Sequence, residues 1–229
     1  MNRRIGPALR RLVDDRGLSM TELLVGMLLT AVVMAMVGSF FMTTAKLTTA
    51  ATQTRESNGT AANIANSITS VVRMATTLAK AGSEIPDPAI VAGSRSSLTL
   101  YSYANTSAGD PAPVRVTFTL DATGKVTETR CTGTKSGGFW TFGSCAATST
   151  RILGVGVLAP TGTDDQLFTY RDGTGTPMVI GTGSLSAAQR ADVSSIVVQV
   201  RVQAPNASTE PVLVRNTVVL RNLGLEATS

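Results

Sequence analysis

Three patterns of hydrophobic and polar positions succeed one another along the 229-residue chain. The first is an uninterrupted apolar run. From Leu23 to Ala45 no residue is charged, about the length that crosses a ~30 Å hydrocarbon core as a helix. The second has the spacing of an amphipathic helix. Ile64, Ile68, Val71, Ala75 and Leu78 recur at steps of four and three, while Arg55, Glu56, Asn63, Asn66 and Arg73 take the opposite face. No proline lies between Pro7 and Pro86, so the two patterns predict one helix from about Leu18 to Lys80. Gly59 is a weak point between its halves, and Gly82 and Pro86 supply the stop. Only the second half has the one-sided pattern that packs on a domain.

Beyond Pro88 the period changes to two. Leu98–Tyr103 and Val114–Leu120 alternate apolar with polar, as half-buried strands do. Asp121-Ala122-Thr123-Gly124 is a turn, and Lys125–Arg130 returns as the hairpin partner. Arg151–Leu158, Gln166–Arg171 and Pro177–Ile180 read as further short strands among glycine-rich turns. Val193–Gln203 and Val212–Asn222, joined by a polar stretch from Pro205 to Glu210, predict a long antiparallel hairpin. The expected fold class is therefore α+β: a long N-terminal helix, with a transmembrane first half and an amphipathic second half, packed on one C-terminal antiparallel sheet.

Candidate chemistry concentrates where the apolar run begins. Arg3, Arg4, Arg10, Arg11 and Arg16 precede it and, by the positive-inside tendency, hold the N-terminus in the cytoplasm. Glu22 sits at the head of the run, where an ionised carboxylate is costly and usually functional. A secretory signal with Val25–Val37 as its apolar core and cleavage near Thr43-Thr44-Ala45 is one ordinary reading, and a permanent single-span anchor is another. Neither accounts for a carboxylate five residues after the glycine of Arg16-Gly17-Leu18. No cysteine lies near this junction, which excludes a lipoprotein.

The stretch Arg16-Gly17-Leu18-Ser19-Met20-Thr21-Glu22 resembles the N-terminus of type IV pilin-like precursors (prepilins). Those chains carry a short basic leader ending in glycine, an apolar first mature residue, a glutamate fifth after the cut and then an apolar helix. The resemblance implies a leader of residues 1–17, cleavage after Gly17 and N-methylation of Leu18 by a prepilin peptidase. It further implies that the freed amine of Leu18 pairs with Glu22 of a neighbouring subunit. A contact within one helix, one turn apart, is the plainer alternative. The family more often begins its mature chain with phenylalanine and kinks its helix at a proline; here Leu18 begins it and Gly38-Ser39 occupies the kink. On this division residues 18–45 form the transmembrane and assembly helix, 46–81 its amphipathic continuation and 82–229 the globular β domain. Ser195–Val202 followed by Thr217–Leu223, with its Leu-Arg-Asn ending, also looks like the end of minor pseudopilins of the J or W type.

Composition narrows the alternatives. The leader's five arginines against Asp14 and Asp15 supply +3 of the formal +5, leaving +2 on the exported chain, so nucleic acid is an unlikely partner. With no histidine, every His-dependent triad, acid–base pair and zinc site is ruled out. The two cysteines, Cys131 and Cys145, fall in a segment expected outside the cytoplasm, where a disulfide persists. Asp164, Asp165 and Asp172 with Gly173 match no calcium-loop spacing, and Asp-Gly is foremost a turn signal; no metal or cofactor is expected. Phe139, Trp140 and Phe142 read as local core beside the disulfide rather than as a binding patch. Three Asn-x-Ser/Thr sequons, at Asn58, Asn105 and Asn206, read as chance in a prokaryotic chain. The expected protein is a non-catalytic minor pilin or pseudopilin of a type IV pilus or type II secretion filament. Its partners are the peptidase, other pilin subunits and an inner-membrane assembly platform. The alternative is a tip adhesin or DNA-uptake receptor using the same helix as a stalk.

Overall fold

The computed structural model describes residues 19–105, 112–145, 149–162, 165–180, 183–204 and 210–220. Its first element is a single α-helix, α1 (Met20–Arg73), interrupted neither at Gly38 nor at Gly59. The strands that follow are β1 (Ile90–Gly93), β2 (Ser97–Asn105), β3 (Ala112–Leu120), β4 (Val126–Thr132), β5 (Thr134–Ser136), β6 (Phe139–Thr141), β7 (Thr150–Gly154) and β8 (Phe168–Arg171). A short helix, α2 (Ala187–Asp192), then leads to β9 (Ser195–Val202) and β10 (Val212–Val219). The chain divides into two compact units, Met1–Thr49 and Ala50–Ser229, with the division inside α1.

Within the first unit every described residue from Ser19 to Thr49 is exposed. By length and composition this part of α1 is apolar enough to cross a membrane. Its hydroxyl groups from Thr30 to Thr49 do not spoil that property, because each finds an acceptor inside its own helix. Thr30, Thr43, Thr44, Thr48 and Thr49 donate to the carbonyls of Gly26, Ser39, Phe40, Thr44 and Ala45 at 2.8–3.0 Å. Ser39 donates to the Met36 carbonyl at 2.8 Å. A hydroxyl satisfied by the preceding turn needs no water, which hydrocarbon cannot provide.

In the second unit α1 buries Ala61, Ile64, Ala65, Ile68, Val71 and Val72, the apolar face its spacing predicts. They share one core with Leu98, Leu100, Val116, Phe118 and Val126 of a five-stranded antiparallel sheet, ordered β1-β2-β3-β4-β7. The same core takes in Phe168, Tyr170, Ile196, Val198 and Val200 of a three-stranded sheet, ordered β10-β9-β8. Tyr170 is fully buried, and its hydroxyl donates to the Ser94 and Ser97 carbonyls at 3.0 and 3.2 Å. The layout is thus α+β, with the helix packed on antiparallel sheet.

The structure corrects four details. The helix ends at Arg73, not Lys80, and Ala75 and Leu78 are buried from extended backbone instead. Sheet contacts outcompete the next helical turn: Thr76 N–H donates to the Tyr101 carbonyl at 3.0 Å, Tyr103 N–H to Met74 at 3.2 Å, and Leu78 and Asp87 exchange both backbone bonds. The predicted single sheet is two larger sheets and a separate two-stranded one. The run Arg151–Leu158 breaks at Gly156, whose φ of +79° an L side chain rarely adopts, so β7 pairs with β4 while Val157 bridges Val202 of β9. Pro177–Ile180 is no strand and touches the sheet only through a bridge from Pro177 to Arg171. Finally, β5 and β6 form a small hairpin inside the cysteine loop, turning at Gly137 and Gly138 with φ of +57° and +88°. Two successive positive φ values are what a two-residue primed turn demands.

The C-terminal hairpin has the predicted partners. β9 and β10 pair antiparallel from Ser195↔Val219 to Val202↔Val212, and β9, central in its sheet, is buried at nearly every position. Residues 205–209 of its predicted Pro205–Glu210 connection lie outside the described residues, as does the Leu-Arg-Asn ending from Arg221.

Candidate functional site

Gly17 and Leu18, the two residues of the expected cleavage junction, lie outside the described residues. Glu22 is described, and it has a local role that its sequence motif encodes. Ser19 precedes α1, and its Oγ accepts the Glu22 backbone N–H at 3.2 Å. In return Glu22 Oε2 accepts the Ser19 N–H at 3.0 Å. This reciprocal pair is a capping box, written in the sequence as Ser-x-x-Glu, and it satisfies two of the N–H groups a helix start leaves open. The carboxylate also lies in the first turn, at the positive end of the helix dipole. Oε2 serves the cap, and among the described residues no hydrogen bond engages Oε1. Around it Met20, Leu24, Met27 and Leu28 are all more than half exposed, so the carboxylate stands at one end of an unburied apolar surface.

Cys131, on β4, and Cys145 form a disulfide with Cα atoms 5.1 Å apart. The loop they close folds back on the sheet. In cross-strand register Tyr101, Arg115 and Cys131 stand side by side on β2, β3 and β4. Phe142 stacks on Tyr101 with ring centroids 5.0 Å apart, and the Arg115 guanidinium lies 5.8 Å from the Phe142 ring while donating to the Gly143 carbonyl at 2.8 Å. Phe139, Trp140 and Phe142 are each half-buried, so the aromatic cluster is local packing, as its place beside the disulfide suggests. Burial, reinforced by nearby Asp87, raises the Tyr101 hydroxyl pKa above its ordinary range. Replacing both cysteines by serine should destabilise the fold by about 3 kcal/mol on the chain-entropy model for a loop of this size. Chemical unfolding of the two proteins side by side is the check.

The acidic residues of the weighed calcium loop divide. Asp164 lies outside the described residues. Asp165 accepts from the Thr161 hydroxyl and N–H and the Gly162 N–H, and pairs with Arg201 at 3.0 Å. The Thr161 hydroxyl bond leads in holding its pKa down to about 2. Asp172 caps its own turn through Thr174 and Thr176, and the Thr174 hydroxyl lowers its pKa below the ordinary carboxylate range. Asp121 does the same in the β3–β4 turn, held to about 2 chiefly by the Thr123 hydroxyl. These carboxylates are engaged as turn caps.

One charged cluster escaped the sequence reading. Glu128 of β4 is fully buried between Arg130, two residues on, and Arg151, its cross-strand neighbour on β7. Arg151 Nε donates to Glu128 Oε2 at 2.6 Å and Arg130 Nε to Oε1. Alternation along β4 places Glu128 on the same face as Val126, and the arginines supply the counter-charge that makes this tolerable. No family model, curated protein or solved structure matches the chain.

Proposed function

We propose that the chain is a structural minor pilin or pseudopilin subunit of a type IV pilus or type II secretion filament. It is made as a precursor, anchored by one span in the inner membrane with its N-terminus inside and its β domain outside. A prepilin peptidase cuts after Gly17 and methylates Leu18. Assembly with other subunits then proceeds through α1, on an inner-membrane platform. The protein acts by packing and catalyses no reaction.

The observation that carries this reading is Glu22. A carboxylate at the head of an apolar helix, behind a basic leader ending in Arg-Gly, is costly at membrane depth; the capping box accounts for its acceptor oxygen, and a cation meeting it there would account for its charge. The long apolar helix packed on antiparallel sheet fits a pilin-like layout. Intact-mass analysis of membrane-extracted protein tests the reading. The expected species lacks Met1–Gly17 and carries one added methyl group on Leu18. A mature terminus near Lys46, or an uncut chain in cells that hold an active peptidase, would overturn it.

A further inference from the structure

A second feature of the β domain goes beyond the filament reading. Thr169 and Arg171 of β8, Val197 and Gln199 of β9 and Arg215 of β10 share one face of the three-stranded sheet. With Arg95 from the β1–β2 turn and the 177–180 segment, that face lines a cavity of about 300 Å³. Arg95, Arg171 and Arg215 line it, and among the described residues no carboxylate does.

Each arginine is fixed in place by an uncharged acceptor. Arg95 Nη2 donates to the Ile180 carbonyl at 3.2 Å and Arg171 Nη1 to the Gly175 carbonyl at 2.9 Å. Arg215 donates through Nε and Nη2 to Gln199 Oε1 at 3.0 and 2.6 Å. The carboxylate adjoining in sequence, Asp172, is turned into its own cap. Among the described residues none of the three arginines pairs with a carboxylate. The Nε atoms of Arg95 and Arg171 are moreover buried with no acceptor among the described residues, an arrangement that destabilises a protein unless something else fills the need.

From this geometry we propose that the cavity binds a phosphate-class oxyanion. A guanidinium fork matches phosphate oxygens two at a time, and the arginines are already held in place. Charge selects phosphate over a carboxylate, since a monoanion answers one of three cations and a phosphate dianion two. The cavity lies at the lower end of the size range of small-molecule sites, and Met178, Val179 and Ile180 give it an apolar wall. A phosphate monoester therefore fits better than the bare ion, whether the ester is a free metabolite or a lipid headgroup.

The test uses the full chain in an uncharged detergent, with inorganic phosphate titrated calorimetrically at constant ionic strength. Saturable binding is expected, with acetate roughly tenfold weaker or worse. Arg171→Gln and Arg215→Gln should each weaken phosphate binding by roughly tenfold or more, the loss expected for a charge-assisted contact. Lys125→Gln, outside the cavity, should leave it unchanged. Arg215 is exposed on its strand, so its variant keeps the fold. In the wild-type chain phosphate should also slow phenylglyoxal modification of Arg95, Arg171 and Arg215 severalfold, with Arg115 unaffected. Parallel titrations with a soluble phosphate monoester and with short-chain phosphatidic acid identify the natural source; tighter binding of either supports the site. Absence of saturable phosphate binding, acetate binding as well as phosphate, or unchanged affinity in both arginine variants would sink it.

Discussion

Replacing Arg130 and Arg151 together by methionine should destabilise the β domain by roughly 3–5 kcal/mol, the range for stranding a buried charge. The two arginines are the partners of Glu128, whose side chain has no exposure, while their own side chains are 37% and 57% exposed. The cluster is therefore asymmetric. Remove the carboxylate, and both guanidiniums can turn to water; remove the guanidiniums, and the carboxylate cannot. Glu128→Gln should for this reason cost less than the double arginine variant, and each single arginine variant less again, because the second partner remains. Adding Glu128→Met to the double variant should recover most of the loss, since it trades an uncompensated charge for packing. Chemical unfolding followed by circular dichroism separates these cases. A triple variant no more stable than the double would mean that the arginine stems, not the charges, hold this corner together.

How much of this was legible in the residues follows from how local each cause is. Period two along β2 and β3 predicted strands because a half-buried strand writes its burial into its own alternation, and the turn stretches after β3 and after β9 marked β4 and β10 as hairpin partners. The buried stripe of α1 through Val71 was legible for the same reason. Where α1 stops was not. Ala75 and Leu78 continue the helical spacing, yet carbonyl and N–H groups of Tyr101, Tyr103 and Asp87 capture the backbone there, and those lie across the fold. Glu128 was unreadable because its partner Arg151 is distant in sequence and arrives only through the β4–β7 pairing.

Other features were local and still went unread. Ser136-Gly137-Gly138-Phe139 holds the double glycine of a primed turn, which marks the β5–β6 hairpin. Ser186 and Gln189 form a capping box at the start of α2, with the Ser-x-x-Gln spacing that marks a helix start. Arg190 of that helix reaches the Val91 carbonyl of β1, which ties a helix too short to be stable alone to the sheet edge. The Ser19–Glu22 box at the head of α1 has the same spacing. Glu22 therefore has two separable properties, an acceptor for the cap and a charge.

Glu22→Gln should therefore be the decisive variant for assembly, ahead of Glu22→Ala. Glutamine keeps the length and an oxygen that can accept the Ser19 N–H, so the cap survives. Alanine removes the cap as well, a loss of about 1 kcal/mol at the helix start. Only the charge is absent from both. On the filament reading, cleavage frees the Leu18 amine at the membrane face, and a neighbour's Glu22 answers it; translocon scales put an uncompensated charge in a membrane helix at about 2.5–3.5 kcal/mol. Both variants should still be cut after Gly17 and should keep the buried face of Ile64, Ile68 and Val71, which lies in the other compact unit. Both should lose crosslinks to partner subunits in the membrane, and the glutamine variant should lose them with its helix content intact by circular dichroism. Should glutamine assemble as wild type while alanine fails, the carboxylate serves the capping box alone, and pairing between subunits through Glu22 is wrong.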